Sequence, residues 1–226
     1  RVLIGLDASN PKNPTYQAEI VENTQRLGDK KRTVDEVANL VAIYNKFLEQ
    51  KHPVETQEEI SSKVDRQVRR LTQIYHQEAQ KTKRTSTYKV AFKLYQLYLG
   101  LFPDSEAAAG MRYYFAELAY RLRKYELAAE EYTKVVLGNC GKGGDAKQQK
   151  LQEDAAFGAV SAWERISRLR LAKIGTVKQK RKGQEYKAEE LPDAEKKLLE
   201  ACGNYVKCVP KGKHALKVAY NSALIF

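Results

Sequence analysis

Apolar residues recur along this chain at steps of three and four, and the clearest run begins at Tyr88. Ala91, Tyr95 and Tyr98 fall on one stripe of a helix, and Pro103 stops it. The order of tyrosine, small residue, aromatic and apolar residue returns at Tyr125, Ala128, Tyr132 and Val135, a displacement of 37 residues from Ala91 to Ala128. A period in that range belongs to helix-pair repeats. Between the two stripes, residues 108–122 form a strongly apolar first helix, and Arg123-Lys124 makes a short turn, so the segment reads as a helical hairpin. The small residues have a physical purpose: an alanine at 91 or 128 lets the second helix lie close against the first, and the tyrosines fill the space between repeats.

The same grammar recurs more weakly in both directions. Downstream, Phe157, Ala159, Ala162 and Trp163 match Tyr114, Ala116, Ala119 and Tyr120, and Leu198, Cys202, Tyr205 and Pro210 reproduce the spacing of Ala91, Tyr95, Tyr98 and Pro103. Ala223 then falls in a further first helix. Upstream, Thr33 and Glu36 have the form of a capping box, followed by Val37, Val41, Tyr44 and Leu48 in a helix ending near His52-Pro53. A second helix is expected from about Val64 to Ala79, with Val64, Val68, Leu71 and Tyr75 on one face. The alternative is an ordinary bundle with a coincidental stripe, and the recurrence of Pro103 and Pro210 argues against it. The expected fold is all-α, a solenoid of helical hairpins. Residues 1–59 form an N-terminal helical region with a partial or degenerate repeat, and 60–226 the solenoid proper, with insertions near 138–150 and 173–190.

Composition sharpens this picture. The 226 residues suffice for a core without staples; 42% are hydrophobic and 30% charged, so apolar residues must be concentrated into narrow stripes. The apolar run from Val2 to Leu6 is too short for a signal peptide or membrane span. A start at Arg1 suggests processing or truncation, and a helix running into Phe226 suggests that the solenoid continues. A net charge of +12 favours anionic partners: acidic proteins, lipid headgroups, cell-wall polymers or nucleic acid.

Little in the chain points to catalysis or to a cofactor. Cys140, Cys202 and Cys208 form no metal-ligand spacing. A bridge between Cys202 and Cys208 is open if the compartment is oxidising, with Cys140 as the alternative partner. The glycine-rich run from Gly138 to Asp145 fails as a phosphate loop, because Lys142 is followed by Gly143 rather than Ser or Thr and a helix precedes it. His76 and Glu78, two apart, face different sides of a helix and make a poor acid/base pair. No catalytic, metal or cofactor residue is therefore assigned.

The segment Tyr88 to Val136 resembles the tetratricopeptide family, and the turn Phe102-Pro103-Asp104-Ser105 resembles its cell-envelope branch. That branch includes the outer-membrane lipoprotein that helps to assemble β-barrels and the periplasmic partner of the Tol-Pal system. More narrowly, residues 76–82, 94–99, 111–118 and 154–156 resemble envelope repeat proteins of myxobacteria, some of them in gliding-motility machinery. The resemblance covers about residues 60 to 226; it departs from the family at Tyr75, where many repeats carry Trp, and in the long regions around Lys142 and Lys178.

The resemblance implies a right-handed tetratricopeptide-like solenoid and a non-enzymatic scaffold in the periplasm or envelope of a Gram-negative bacterium, with the cytoplasm as the alternative. Its partners would be other proteins of an envelope complex. Tyr113, Glu117, Tyr120 and Arg121 recur at helical steps on the first helix of the clearest repeat, which usually lines the concave face of such solenoids; binding and inter-repeat packing both remain open for the tyrosines. Lys173, Lys178, Lys180, Arg181, Lys182 and Lys187 crowd a polar loop, which is either simply solvated or docks on an acidic protein, membrane or glycan. The second function considered is therefore binding of an anionic polymer or surface through basic loops. Nucleic acid is disfavoured, since this loop offers only Tyr186 for stacking.

Overall fold

The computed structural model describes residues 2–174 and 190–225. The described residues form helices without any strand, in the order α1 (Val2–Leu6), α2 (Asn13–Arg26), α3 (Lys30–Glu49), α4 (Val54–Thr82), α5 (Thr85–Leu101), α6 (Ala108–Arg121), α7 (Tyr125–Asn139), α8 (Ala146–Ile174), α9 (Asp193–Cys208) and α10 (Ala215–Ala223). The chain divides into two compact units, Arg1–Ala108 and Ala109–Phe226.

In unit 1, α2 pairs with α3 and α4 with α5; first helix α2 also touches first helix α4, and second helix α3 touches second helix α5. This lateral order is that of tetratricopeptide-like hairpins. In unit 2, α6 meets α7 through the Arg112–Glu131 ion pair at 2.9 Å, α8 lies between α7 and α9, and α10 packs on α9. All of the striped positions from Ala91 to Tyr98, Ala128 to Val135 and Leu198 to Tyr205 named above are buried. The small residues Ala116, Ala119, Ala159 and Ala162 are buried too, which is what close helix approach requires.

The ends of the elements follow from local chemistry. Arg123 takes the left-handed conformation, φ 61°, and the Lys124 amide donates to the Ala119 carbonyl at 2.8 Å, a Schellman end that turns α6 into α7 within three residues. Phe102 and Val209, each before a proline, adopt nearly the same backbone, φ −128° ψ 58° and φ −135° ψ 55°. The proline ring forbids the residue before it from continuing the helix, so α5 and α9 stop alike.

Four sequence expectations are corrected. The cap of α3 is Asp29, whose carboxylate accepts from the Arg32 amide at 3.0 Å; Thr33 and Glu36 are instead buried inside the helix. The reciprocal capping box lies at α8, where the Gln148 amide donates to Asp145 at 2.7 Å and the Asp145 amide to Gln148 at 3.0 Å. The buried stripe of α3 runs Val37, Leu40, Tyr44, Phe47, leaving Leu48 exposed, because a helix of 3.6 residues per turn drifts off a stripe dominated by steps of four. Helix α4 begins at Val54 directly after Pro53, ten residues before Val64, since its polar first turns carry no apolar period to reveal them. Finally, Ala223 ends α10 exposed and Val218 is the buried residue there; among the described residues no second helix covers α10 as α7 covers α6.

Candidate functional site

Helix α6 carries Tyr113, Glu117, Tyr120 and Arg121 on successive turns, and the structure links two of them through Tyr132 of α7. The Tyr132 hydroxyl of α7 donates to the Glu117 carboxylate, and the Tyr113 ring lies 5.9 Å from the Tyr132 ring and 5.4 Å from Tyr114. Burial, then the charges of Glu117 and Asp154, push the Tyr113 phenol up to about 12. Burial and the bond to Glu117 raise Tyr132 as well. Both phenols therefore stay protonated at physiological pH, and Tyr132 serves as a donor.

Tyr120 belongs to a separate contact: its ring meets Tyr125 edge-on at 5.0 Å across the α6–α7 turn. Tyr113 and Tyr120 are half-buried, whereas Glu117 and Arg121 are exposed. The face thus combines aromatic area with charge at its margin, and the tyrosines both pack and remain reachable. Lys178, Lys180, Arg181 and Lys182, with Lys187, lie outside the described residues, and the Lys173 side chain is likewise not described.

Other candidates resolve as packing. His76 Nδ1 sits 2.8 Å from the Tyr95 hydroxyl in a buried position, and burial lowers its affinity for a proton; Glu78 instead pairs with Lys30. Cys140 is bridged to Cys208, so the alternative partner and not Cys202 forms the disulfide. Cys202 is a buried free thiol, pushed up to about 11 by burial and then by the Glu164 charge. Of the stretch from Gly138 to Asp145 rejected as a phosphate loop, residues 138–139 end α7 and residues 140–145 join it to α8. Among the described residues no three His, Cys, Asp or Glu side chains are grouped to hold a metal ion, and no helix is long and apolar enough to cross a membrane.

Sequence reading missed two grooves. In unit 1 an open groove of about 340 Å³ runs along the contact of α2 with α4, floored by Ala18, Val21, Val64 and Leu71 and rimmed by charged residues including Glu22 and Arg66. In unit 2 a second groove, considered below, follows α7 and α9 over Trp163. Half of the first was visible as the stripe on α4. Its other wall, α2, is too polar to announce itself.

No protein-family model matches the chain, and no curated protein does. Among solved structures, the chain is similar to a kinesin-light-chain-like protein of Podosopora anserina with nearly identical TPR-like repeats, at 15% identity, 96% of each chain and a TM-score of 0.35. Its Q17M form gives the same identity and TM-score over 95% of each chain. BtubC from P. vanneervenii is 17% identical over 94% of this chain and 89% of that one, with a TM-score of 0.32. Scores this low add nothing to the hairpin contacts, which by themselves define an all-α protein of TPR-like helical repeats.

Proposed function

We propose that this protein is a non-enzymatic scaffold that captures partner proteins on the face of α6, within a complex of the bacterial cell envelope such as an outer-membrane assembly or gliding-motility machine. The observation that carries the reading is the α6 face itself. Half-buried Tyr113 and Tyr120 rings stand beside the exposed charges of Glu117 and Arg121, and rigid aromatics with adjacent charge are what partner surfaces anchor on. The envelope setting is supported by the Phe102–Ser105 turn and by a disulfide, since such bonds persist in oxidising compartments.

The test is to identify the proteins that co-purify with the full-length chain and then measure their binding to Tyr120→Ala combined with Arg121→Glu. Loss of binding with an unchanged helical circular dichroism spectrum is the expected result, and undiminished binding defeats the proposal. The anionic-surface reading is favoured by the +12 charge and makes a different forecast. Binding would then fall steeply with salt and ignore changes at Tyr113 and Tyr120.

A further inference from the structure

Cys140 and Cys208 are separated by 68 residues in sequence, yet their Cα atoms lie 4.9 Å apart. Cys140 caps the C-terminal end of α7, and Cys208 is the last residue of α9. Both are second helices of their hairpins, and they run parallel because α8 reverses the chain between them. Their starts meet too, at the Lys197–Glu126 pair 3.4 Å across, but those side chains are largely exposed and hold little.

Between the helices runs a groove. Near the helix starts it is an open depression of about 700 Å³ beside Tyr125, Glu126 and Lys197; farther along, beside Lys134 and Asn204, one of about 330 Å³. Trp163 of α8 borders both parts, buried, with the Lys197 ammonium 4.8 Å from its ring centroid. It is the sole tryptophan in the chain. The bridge lies beyond the lining of this groove and ties together the C-terminal ends of the two helices that flank it.

We propose that the Cys140–Cys208 disulfide is a reversible redox pin that sets the spacing of α7 and α9, and that reduction by a dithiol opens the groove over Trp163. Both cysteines are half-buried, so a small dithiol or a dithiol oxidoreductase can reach a sulfur. One thiolate of the reductant attacks a bridge sulfur, the S–S bond breaks, and a mixed disulfide forms. Its second thiolate then displaces the protein sulfur. The reductant leaves as a disulfide, and two electrons and two protons end on Cys140 and Cys208. Cys202 does not compete as an internal attacker, being a buried protonated thiol. Once the pin is cut, the denatured chain regains the freedom of a long closed loop and α9 keeps only its non-covalent contacts with α7.

The experiment follows the full chain before and after dithiothreitol. Alkylation of the denatured, unreduced protein should label one cysteine, and after reduction three. Reduction should move Trp163 emission to longer wavelength, raise its quenching by acrylamide, and speed amide exchange in α9 by at least about tenfold. The unfolding midpoint should fall by roughly 5–10 °C. Reoxidation should reverse all of these. Cys208→Ala should reproduce the reduced state, and Cys202→Ala should retain the response; if the first does not fold, titrating dithiothreitol into the wild-type chain still decides the matter. Three labelled cysteines in unreduced protein, or tryptophan and α9 exchange signals indifferent to reduction, overturn the proposal.

Discussion

Both units tie helices together with polar side chains, but unit 2 adds an aromatic ring seated against a glycine and a covalent bridge. In unit 1, the Gln17 amide donates both to the Glu36 carbonyl at 3.0 Å and to its buried carboxylate at 2.9 Å, joining α2 to α3. Gln67 reaches the Ala18 carbonyl at 2.7 Å, and the Tyr44 and Tyr98 hydroxyls donate to Ser61 and Asp65, each at 2.6 Å. In unit 2, the Tyr132 ring lies where a Cβ on Gly158 would meet it at 2.8 Å, so α7 and α8 approach through a glycine and an aromatic. The difference teaches how each unit can fail. A polar tie fails when one partner is left buried and unpaired, and a shape tie fails when an atom is added.

The contrast is broken most strongly at its polar end. Gln17→Leu removes both bonds to Glu36, which is almost fully buried but retains Asn39 at 3.3 Å and Arg32 at 3.9 Å, and should cost unit 1 about 2–3 kcal/mol in denaturant unfolding. The double variant with Glu36→Leu should recover much of that loss. Next, Gly158→Ala should destabilise unit 2 by about 2 kcal/mol, because the rigid Tyr132 ring cannot yield without moving α7. Combining it with Tyr132→Leu should relieve part of the cost, and chemical unfolding of the two variants checks this.

Smaller effects sharpen the comparison. Burial lowers the His76 pKa, so the unfolded chain takes up a proton at higher pH than the folded one. The stability involved is present above the unfolded value near 6.5 and is lost as pH falls through and below it. Unfolding followed from pH 7 to 5 should show this slope, and His76→Asn should flatten it, while Cys208→Ala should leave it unchanged. Smallest of all, Tyr132→Phe should cost about 0.5–1 kcal/mol in denaturant unfolding, because Glu117 is exposed and water replaces the lost hydroxyl.

Most of the helices were legible without coordinates, and the least legible one is instructive. Helix α2 buries Gln17, Thr24 and Asn13 beside Ala18 and Val21, so its inward face is half polar and shows no apolar period. The groove it shares with α4 was therefore invisible. On α6 the candidate residues were readable as a helical spacing, but the Tyr132–Glu117 bond and the separate Tyr120–Tyr125 contact depend on α7 and on the α6–α7 turn. The pairing of the three thiols was left open, since spacing along a chain does not reveal which ends converge.

What the sequence determined by itself is the phase of its apolar stripes and the points where helices stop. Ala91, Tyr95 and Tyr98, their counterparts at Ala128 and Tyr132, and the stops before Pro103 and Pro210 follow from backbone periodicity and proline sterics, which act over a few residues. Only the tertiary structure decided the Gln17–Glu36 tie, the Cys140–Cys208 bridge and the groove over Trp163. Each joins residues from different helices, and their meeting depends on how those helices pack, which no local pattern of side chains encodes.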